Sequence, residues 1–236
     1  MPMTLSQLRK RLRRFASPEK AKKLQGFFKT GPGEYGEGDI FIGVTVPETR
    51  SLIKDGRGLS LAAVRTLLHS RIHEERFLAL QLLVDRYQRE TPAGQKEIFL
   101  LYCSHTAFIN NWDLVDLSAP NIVGAYLYTR SRKRLYTFAR SRDLWKRRIA
   151  VLATFYFIRE KDFADNLAIA ALLLNDHEDL IHKAAGWMLR EVGKRDLNAE
   201  EAFLQKYYRR MPRTMLRYAI ERFPEKRRKA YLKGRV

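Results

Sequence analysis

Cysteine is nearly absent from this sequence, in which Cys103 is the only cysteine among 236 residues. An intramolecular disulfide is therefore excluded, and such a chain fits a reducing compartment. No apolar run approaches the ~18 residues needed to span a bilayer. The basic N-terminus is not followed by the apolar segment of a signal peptide. We expect a soluble protein of the cytoplasm that has no membrane partner.

Acidic residues are also few relative to basic ones. The chain has 26 Asp and Glu against 45 Lys and Arg, which gives a formal net charge of +19. A chain this basic attracts polyanions, and its charge is typical of nucleic-acid-binding proteins, although ribosome-associated and membrane-surface proteins share it. The hydrophobic content of 45% is enough for one compact domain or one short repeat array.

Runs of alternating β-type residues are missing, whereas apolar residues recur at helical spacing, as in residues 61–68. Thr45 and Glu48 predict a capping box, and Thr91 and Pro92 predict the N-cap and first residue of another helix. Further helices are predicted at 74–89, 120–128, 132–139, 143–159, 161–174, 177–193, 197–208 and 211–222. The sequence therefore predicts an all-α fold.

The spacing of these helices indicates a repeat. Helices of about 10–17 residues recur in pairs roughly every 35–45 residues, near the period of HEAT-like α-solenoids. In such arrays each pair buries its apolar stripe against its neighbours. We expect one HEAT-like repeat domain over residues 1–236, monomeric and curved into a C-shape with a basic concave DNA-binding cleft. A plain helical bundle is the alternative.

Basic residues are concentrated in three blocks. Residues 1–29 contain nine basic residues and one acid, residues 130–148 contain nine and one, and residues 206–236 contain twelve and two. The aromatic residues that flank or interleave with the middle block are Tyr126, Tyr128, Tyr136 and Trp145. Such interleaving suits phosphate contacts beside sugar or base stacking. For residues 226–236 we expect a flexible basic tail.

Trp112 and Asp116 stand at i and i+4, so on a helix they share one face. An ionised carboxylate can stabilise a developing oxocarbenium ion or orient an attacking water, and a tryptophan can pack against a sugar or a cationic base. Arg148 can hold a backbone phosphate and the carboxylate together. These residues fit cleavage of an N-glycosidic bond in DNA, although a capping Asp beside a core Trp is the commoner arrangement.

Other motifs favour structural roles. Residues 31–36 match G-x-G-x-x-G, but no strand precedes them, so a dinucleotide site is not expected. His69 and His73 are four residues apart without the acid of an H-E-x-x-H motif, which favours a polar helix face over zinc. Asp113 is expected to cap or pair locally, and a carboxylate pair with Asp116 is the alternative. We expect no cofactor and no metal.

Four segments carry a resemblance to a known family. They are residues 41–50 (FIGVTVPETR), 111–116 (NWDLVD), 145–150 (WKRRIA) and 183–191 (KAAGWMLRE), in that order. Together they resemble the bacterial DNA alkylation repair glycosylases of the AlkD type, which are HEAT-like repeat proteins. The glycine-rich loop at residues 29–38 is more elaborate than the family pattern, and the basic run at residues 226–229 does not align with it.

The resemblance implies a monofunctional glycosylase that removes cationic N3- and N7-alkylated purines from duplex DNA in base excision repair, without base flipping, in the bacterial cytosol. By motif position it assigns Trp112, Asp116 and Arg148 as catalytic residues, and Trp187 as a further tryptophan of the cleft. Neighbouring basic residues that we expect to contact DNA are Lys146, Arg147 and Arg190. The alternatives are a non-catalytic HEAT-repeat protein that recognises DNA structure and a protein-binding solenoid.

Overall fold

The computed structural model describes residues 3–236, which form helices joined by turns and loops, the connection between the second and third helices being long (residues 28–45). Residues 1 and 2, which the predicted domain includes, lie outside the described range. Within that range there is no strand, and the single β-type backbone pairing joins Ile40 to Ile72. The all-α prediction is therefore confirmed. None of the helices in residues 3–236 is both long enough and apolar enough to cross a membrane.

The chain divides into two compact units, the first ending at Ser118 and the second comprising Ala119–Val236. The helices that begin in the first unit are α1 (Leu5–Arg13), α2 (Pro18–Phe27), α3 (Val46–Ser51), α4 (Ile53–Gly56), α5 (Leu61–Leu68), α6 (His73–Arg89), α7 (Pro92–Ser104) and α8 (Trp112–Ala119). A 3-10 turn, Thr106–Phe108, lies between α7 and α8.

Side-chain caps fix several of these helix starts. The hydroxyl oxygen of Thr91 accepts a hydrogen bond from the N–H of Gly94, and Pro92 opens α7. The Glu48 carboxylate accepts from the N–H of Thr45 at 2.7 Å, which is the reciprocal half of the predicted capping box. These bonds satisfy N–H groups that the first turn of a helix leaves without partners. Both predicted helix starts are confirmed.

Helix α6 is the central helix of the first unit. Every residue from His73 to Leu83 is buried, and the helix packs against α3, α4, α5 and α7. Because this stretch is covered on all sides, its polar residues must find partners inside the protein. Their partners include a segment without regular secondary structure that precedes α3.

That segment, residues 39–44, is held by Glu74. The buried Glu74 carboxylate accepts hydrogen bonds from the N–H groups of Ile42, Gly43 and Val44 at 2.8–3.2 Å. Gly43 has a φ of +82°, and a Cβ there would overlap the carbonyl oxygen of Ser17. Only glycine combines that backbone conformation with so close an approach.

The second unit is built on two long helices, α11 and α13, which pack against each other. A π-helical turn, Pro120–Gly124, opens the unit. Its helices are α9 (Ala125–Leu127), α10 (Lys133–Ala139), α11 (Leu144–Arg159), α12 (Ala164–Leu172), α13 (Asp179–Gly193), α14 (Leu197–Tyr207), α15 (Arg213–Ala219) and α16 (Glu225–Leu232). A 3-10 turn, Ile220–Arg222, follows α15.

Gly186 sets the distance between α13 and α15. A Cβ at this position would overlap the carbonyl oxygen of Met215 and would lie 2.6 Å from the Cβ of Tyr218. The two helices therefore approach more closely than any side chain at residue 186 allows. This explains structurally why a glycine stands inside a helix, where it costs roughly 0.5–1 kcal/mol relative to alanine.

The expectation of a flexible tail over residues 226–236 is wrong for most of that segment. Glu225–Leu232 forms α16, and Tyr231 is buried on it. The ring of Tyr231 makes edge contacts with the rings of Tyr208 and Phe223, at centroid distances of 5.5 and 5.7 Å. Burial of one large aromatic ring orders a segment whose local charge favoured disorder.

Candidate active site

Trp112 and Asp116 lie one turn apart at the start of α8, and both side chains are half-buried. The preceding residue, Asn111, is fully buried. Its amide oxygen accepts from the N–H of Trp112 at 2.8 Å, and its amide nitrogen donates to Asp39 at 3.3 Å. The first turn of α8 is thus anchored to a buried polar cluster rather than exposed to solvent.

The Trp112 ring belongs to an aromatic column. It stacks on Phe28 with a centroid distance of 5.0 Å and an interplanar angle of 8°, and Phe28 stacks in turn on Phe41 at 4.8 Å. Phe27, which is 64% exposed, makes an edge contact with Trp112 at 5.9 Å. One face of the tryptophan is therefore covered by Phe28, and its orientation is set by packing.

His73 lies between two carboxylates beside this column. Its Nδ1 is 2.9 Å from Asp39 and its Nε2 is 2.8 Å from Asp113. Arg76 donates to the second carboxylate oxygen of Asp39. The side chains of His73 and Asp39 are only 3% and 4% exposed. The cluster is a buried network in which basic and carboxylate side chains alternate.

The charges of this cluster support one another. Burial lowers the pKa of His73, but Asp113 and Asp39 outweigh burial and hold that pKa above its usual range. Burial raises the pKa of Asp39, but His73 and Arg76 outweigh it and hold that pKa below its usual range. The shifts of His73 and Asp39 therefore both favour the charged form, which is how a buried ion pair becomes tolerable.

Two expectations about this region are corrected. Asp113 accepts locally from the N–H of Leu114 at 2.8 Å, but its other oxygen pairs with His73, 40 residues away in sequence. His69 and His73 do not share a helix face, because α5 ends at Leu68 and α6 begins at His73. His69 stacks instead on Phe108 at 4.0 Å. In residues 3–236 no three His, Cys, Asp or Glu side chains form a metal-binding group.

A cavity of about 280 Å³ lies next to this cluster in the first unit. Apolar atoms form most of its wall, while the charged or polar side chains that reach it include Lys20, Lys23, Asp113 and His73. The apolar residues of the wall include Leu24, Phe28, Phe41, Val44 and Phe77. The sequence does not predict this cavity or the Asp39–His73–Asp113 cluster, because their residues come from separate segments with no motif spacing.

Arg148 and Trp187 lie in the second unit. Arg148, on α11, is 5% exposed and donates through Nη1 to the carbonyl oxygen of Leu180 at 2.6 Å. Trp187, on α13, is half-buried, and its Nε1 donates to Glu191 at 3.3 Å. An arginine this buried is held in place by hydrogen bonds, since an unsatisfied buried cation is costly.

The basic residues expected at the DNA surface differ in their surroundings. Lys146 is half-buried on α11. Arg147 forms an ion pair with Asp176 at 2.6 Å, and its guanidinium also donates to two backbone carbonyls. Arg190 pairs with Glu221. Both arginines therefore hold intramolecular partners far away in sequence, and their contact with DNA stays a prediction.

The aromatic residues near the middle basic block pair with arginines of the same unit. Arg130 lies 4.3 Å from the ring centroid of Tyr126, and Arg132 lies 5.6 Å from that of Tyr128. Arg132 also pairs with Asp162 at 2.7 Å. The interleaving of charge and aromatic rings, which the sequence favoured as a DNA-binding pattern, thus has an intramolecular use in cation–π contacts.

These observations define the chain as an all-helical, strongly basic protein with a half-buried Trp–Asp pair at a helix start. A family model for DNA alkylation repair enzymes matches residues 8–223, and the chain belongs to this family. A solved structure described as a predicted DNA alkylation repair enzyme from Enterococcus faecalis has a similar fold, with a TM-score of 0.69 at 18% identity. That similarity covers 89% of this chain and 97% of the other. No curated protein matches the chain significantly.

Proposed function

We propose that this protein is a monofunctional DNA glycosylase that hydrolyses the N-glycosidic bond of cationic N3- and N7-alkylated purines in duplex DNA. Membership of the DNA alkylation repair family and the net charge of +19 support a DNA substrate. The observation that carries the proposal is the placement of Trp112 and Asp116 one turn apart at the anchored start of α8.

The chemistry needs few groups because the lesion is already a good leaving group. When the bond between C1′ and N9 of the alkylated purine breaks, the bonding electrons neutralise the cationic base, and positive charge develops on the sugar. In the proposed mechanism, the Asp116 carboxylate stabilises that charge and takes a proton from the water that attacks C1′. The base leaves without being protonated, so it need not be flipped into a pocket.

We assign supporting roles to the other residues on the same basis. Arg148 holds a phosphate of the damaged strand, and Trp112 packs against the deoxyribose of the lesion. Trp187, Lys146, Arg147 and Arg190 contribute to DNA binding. An arginine that leaves an intramolecular carboxylate for a phosphate exchanges one charge-assisted hydrogen bond for another, which limits the cost of binding.

Release of methylated purines from duplex DNA tests the proposal. DNA that carries N7-methylguanine or N3-methyladenine is incubated with excess protein, and the free base is quantified in a single turnover. We expect Asp116→Asn to lower the rate by about 10²-fold or more, because it removes the negative charge opposite the developing cation. Glu97→Gln, an exposed change on α7, is the matched control and should leave the rate unchanged.

Three outcomes separate the alternatives. Wild-type protein that binds the DNA but releases no base is a non-catalytic reader of DNA structure, and the glycosylase proposal is then wrong. Release that is equal in wild type and Asp116→Asn means that another residue supplies the carboxylate. Strand cleavage without added base or lyase rules out a monofunctional enzyme.

A further inference from the structure

The first turn of α8 is joined to His73 by two separate routes. Asp113 bonds His73 Nε2 directly at 2.8 Å. Trp112 reaches the same imidazole through stacked rings, because Phe28 lies 5.1 Å and Phe41 lies 4.3 Å from His73. One buried ring at the start of α6 is therefore linked to both residues of the Trp112–Asp113 peptide bond, to Asp113 directly and to Trp112 through Phe28.

Neither ring nitrogen of His73 is available to exchange a proton with a substrate. Both ring nitrogens are within hydrogen-bond distance of carboxylates, and its side chain is 3% exposed. Asp39, which holds the other side of the ring, is itself fixed by Arg76 and Asn111. A proton transfer through His73 would break one of these bonds inside a buried network, at a high desolvation cost. The arrangement suits a group that holds its neighbours in place.

We propose that His73 is a positioning residue for the glycosylase reaction: held between Asp39 and Asp113, it fixes the first turn of α8 and thereby the orientation of Trp112 and Asp116. The inference rests on the proposed function, because the value of that orientation depends on the assigned role of Asp116. It adds a residue that touches neither the sugar nor the base but acts through Asp113.

The position of Asp113 explains why its anchor matters for the rate. Asp113 follows Trp112 directly and precedes Asp116 by three residues, so a rotation of this turn about the helix axis moves both. A displacement of about 1 Å at a reacting group can cost about 10²-fold in rate. DNA affinity arises mainly from phosphate contacts with basic side chains. Loss of the anchor is therefore expected to lower the chemical rate and to leave affinity nearly unchanged.

The experiment uses His73→Gln and Asp113→Asn in the full-length protein. Single-turnover release of N7-methylguanine and the dissociation constant for the same duplex are measured at one salt concentration. We expect each variant to lose about 10-fold to 10²-fold in rate while the dissociation constant changes less than about twofold. His69→Gln, whose imidazole stacks on Phe108 outside the cluster, is the matched control and should match wild type.

The double variant His73→Gln, Asp113→Asn supplies a rescue test. Each single change leaves a charged member of the cluster without its partner, whereas the double change places two neutral amides opposite each other. We expect the double variant to be faster than either single variant. If His73→Gln does not fold, Asp113→Asn carries the test, because it leaves His73, Asp39 and Arg76 together.

The outcomes distinguish this inference from the proposed function. Wild type that releases no base overturns the proposed function and, with it, this inference. A second outcome is that wild type releases the base, Asp116→Asn does not, and folded His73→Gln and Asp113→Asn still do. That outcome overturns only the positioning role. Parallel losses of rate and affinity in the two variants also overturn it, because they indicate a general structural defect.

Discussion

Glu200 provides a stability prediction whose sign and size follow from its surroundings. This carboxyl group lies on α14 and is 2% exposed. Burial, followed by repulsion from Glu201, raises its pKa to about 8, and Arg190 offsets only part of that rise. Its Oε1 atom is buried without a hydrogen-bond partner among residues 3–236. The folded protein therefore favours the protonated form.

A carboxyl group with a raised pKa contributes stability at low pH and loses that contribution as the pH rises. The ordinary pKa of a glutamate is about 4.3, and one pKa unit corresponds to about 1.4 kcal/mol. Between pH 4.3 and the folded-state pKa of about 8, the folded state holds a proton that the unfolded state has released. The free energy of unfolding should thus fall by about 1.4 kcal/mol per pH unit from this group.

Glu200→Gln removes this dependence. The difference in free energy of unfolding between the variant and wild type should shift in favour of the variant by about 2–3 kcal/mol between pH 6 and pH 8. Urea denaturation at pH 6, 7 and 8 and constant ionic strength measures the difference. Glu160→Gln, an exposed change at the end of α11, should follow wild type. Parallel loss of stability in wild type and Glu200→Gln over this range would refute the reasoning.

The remaining predictions concern packing and the candidate site. Gly186→Ala should lower the free energy of unfolding by about 1–3 kcal/mol because its Cβ overlaps α15. Gly26→Ala, where a Cβ meets open space, should leave the free energy of unfolding unchanged or raise it by up to about 1 kcal/mol. Equal effects of the two changes in urea titrations would contradict this. Arg148→Ala should weaken both DNA affinity and single-turnover rate, whereas Trp112→Ala should lower the rate more than the affinity. Anisotropy titrations beside rate measurements separate the two, and unchanged affinity in Arg148→Ala would remove its phosphate role.

Features with a local cause could be predicted from the sequence. The predicted helix over 74–89 is observed as His73–Arg89, and Thr91 and Pro92 mark the start of α7 as expected. Apolar periodicity and caps lie within a few residues of the helix that they specify. The predicted start of α12 at residue 161 is three residues early, because Lys161 has a φ of +59° and cannot continue a helix.

Pairings between distant segments could not be predicted in this way. Asp113 and His73 are 40 residues apart, and Arg147 and Asp176 are 29 apart. Whether such charges pair with each other or face a ligand depends on which helices become neighbours, and no local pattern contains that. The spacing of charged and aromatic residues therefore did not predict that several basic residues of the middle block have intramolecular partners.

The attachment of residues 39–44 to Glu74 has a consequence for hydrogen exchange. The amides of Ile42, Gly43 and Val44 lie outside any helix, yet all three donate to one buried carboxylate at the start of α6. Their exchange with solvent deuterium requires their hydrogen bonds to the Glu74 side chain to break. Since His73 precedes Glu74 directly, we expect a change that loosens the first turn of α6 to speed the exchange of these three amides as well as to release Asp113.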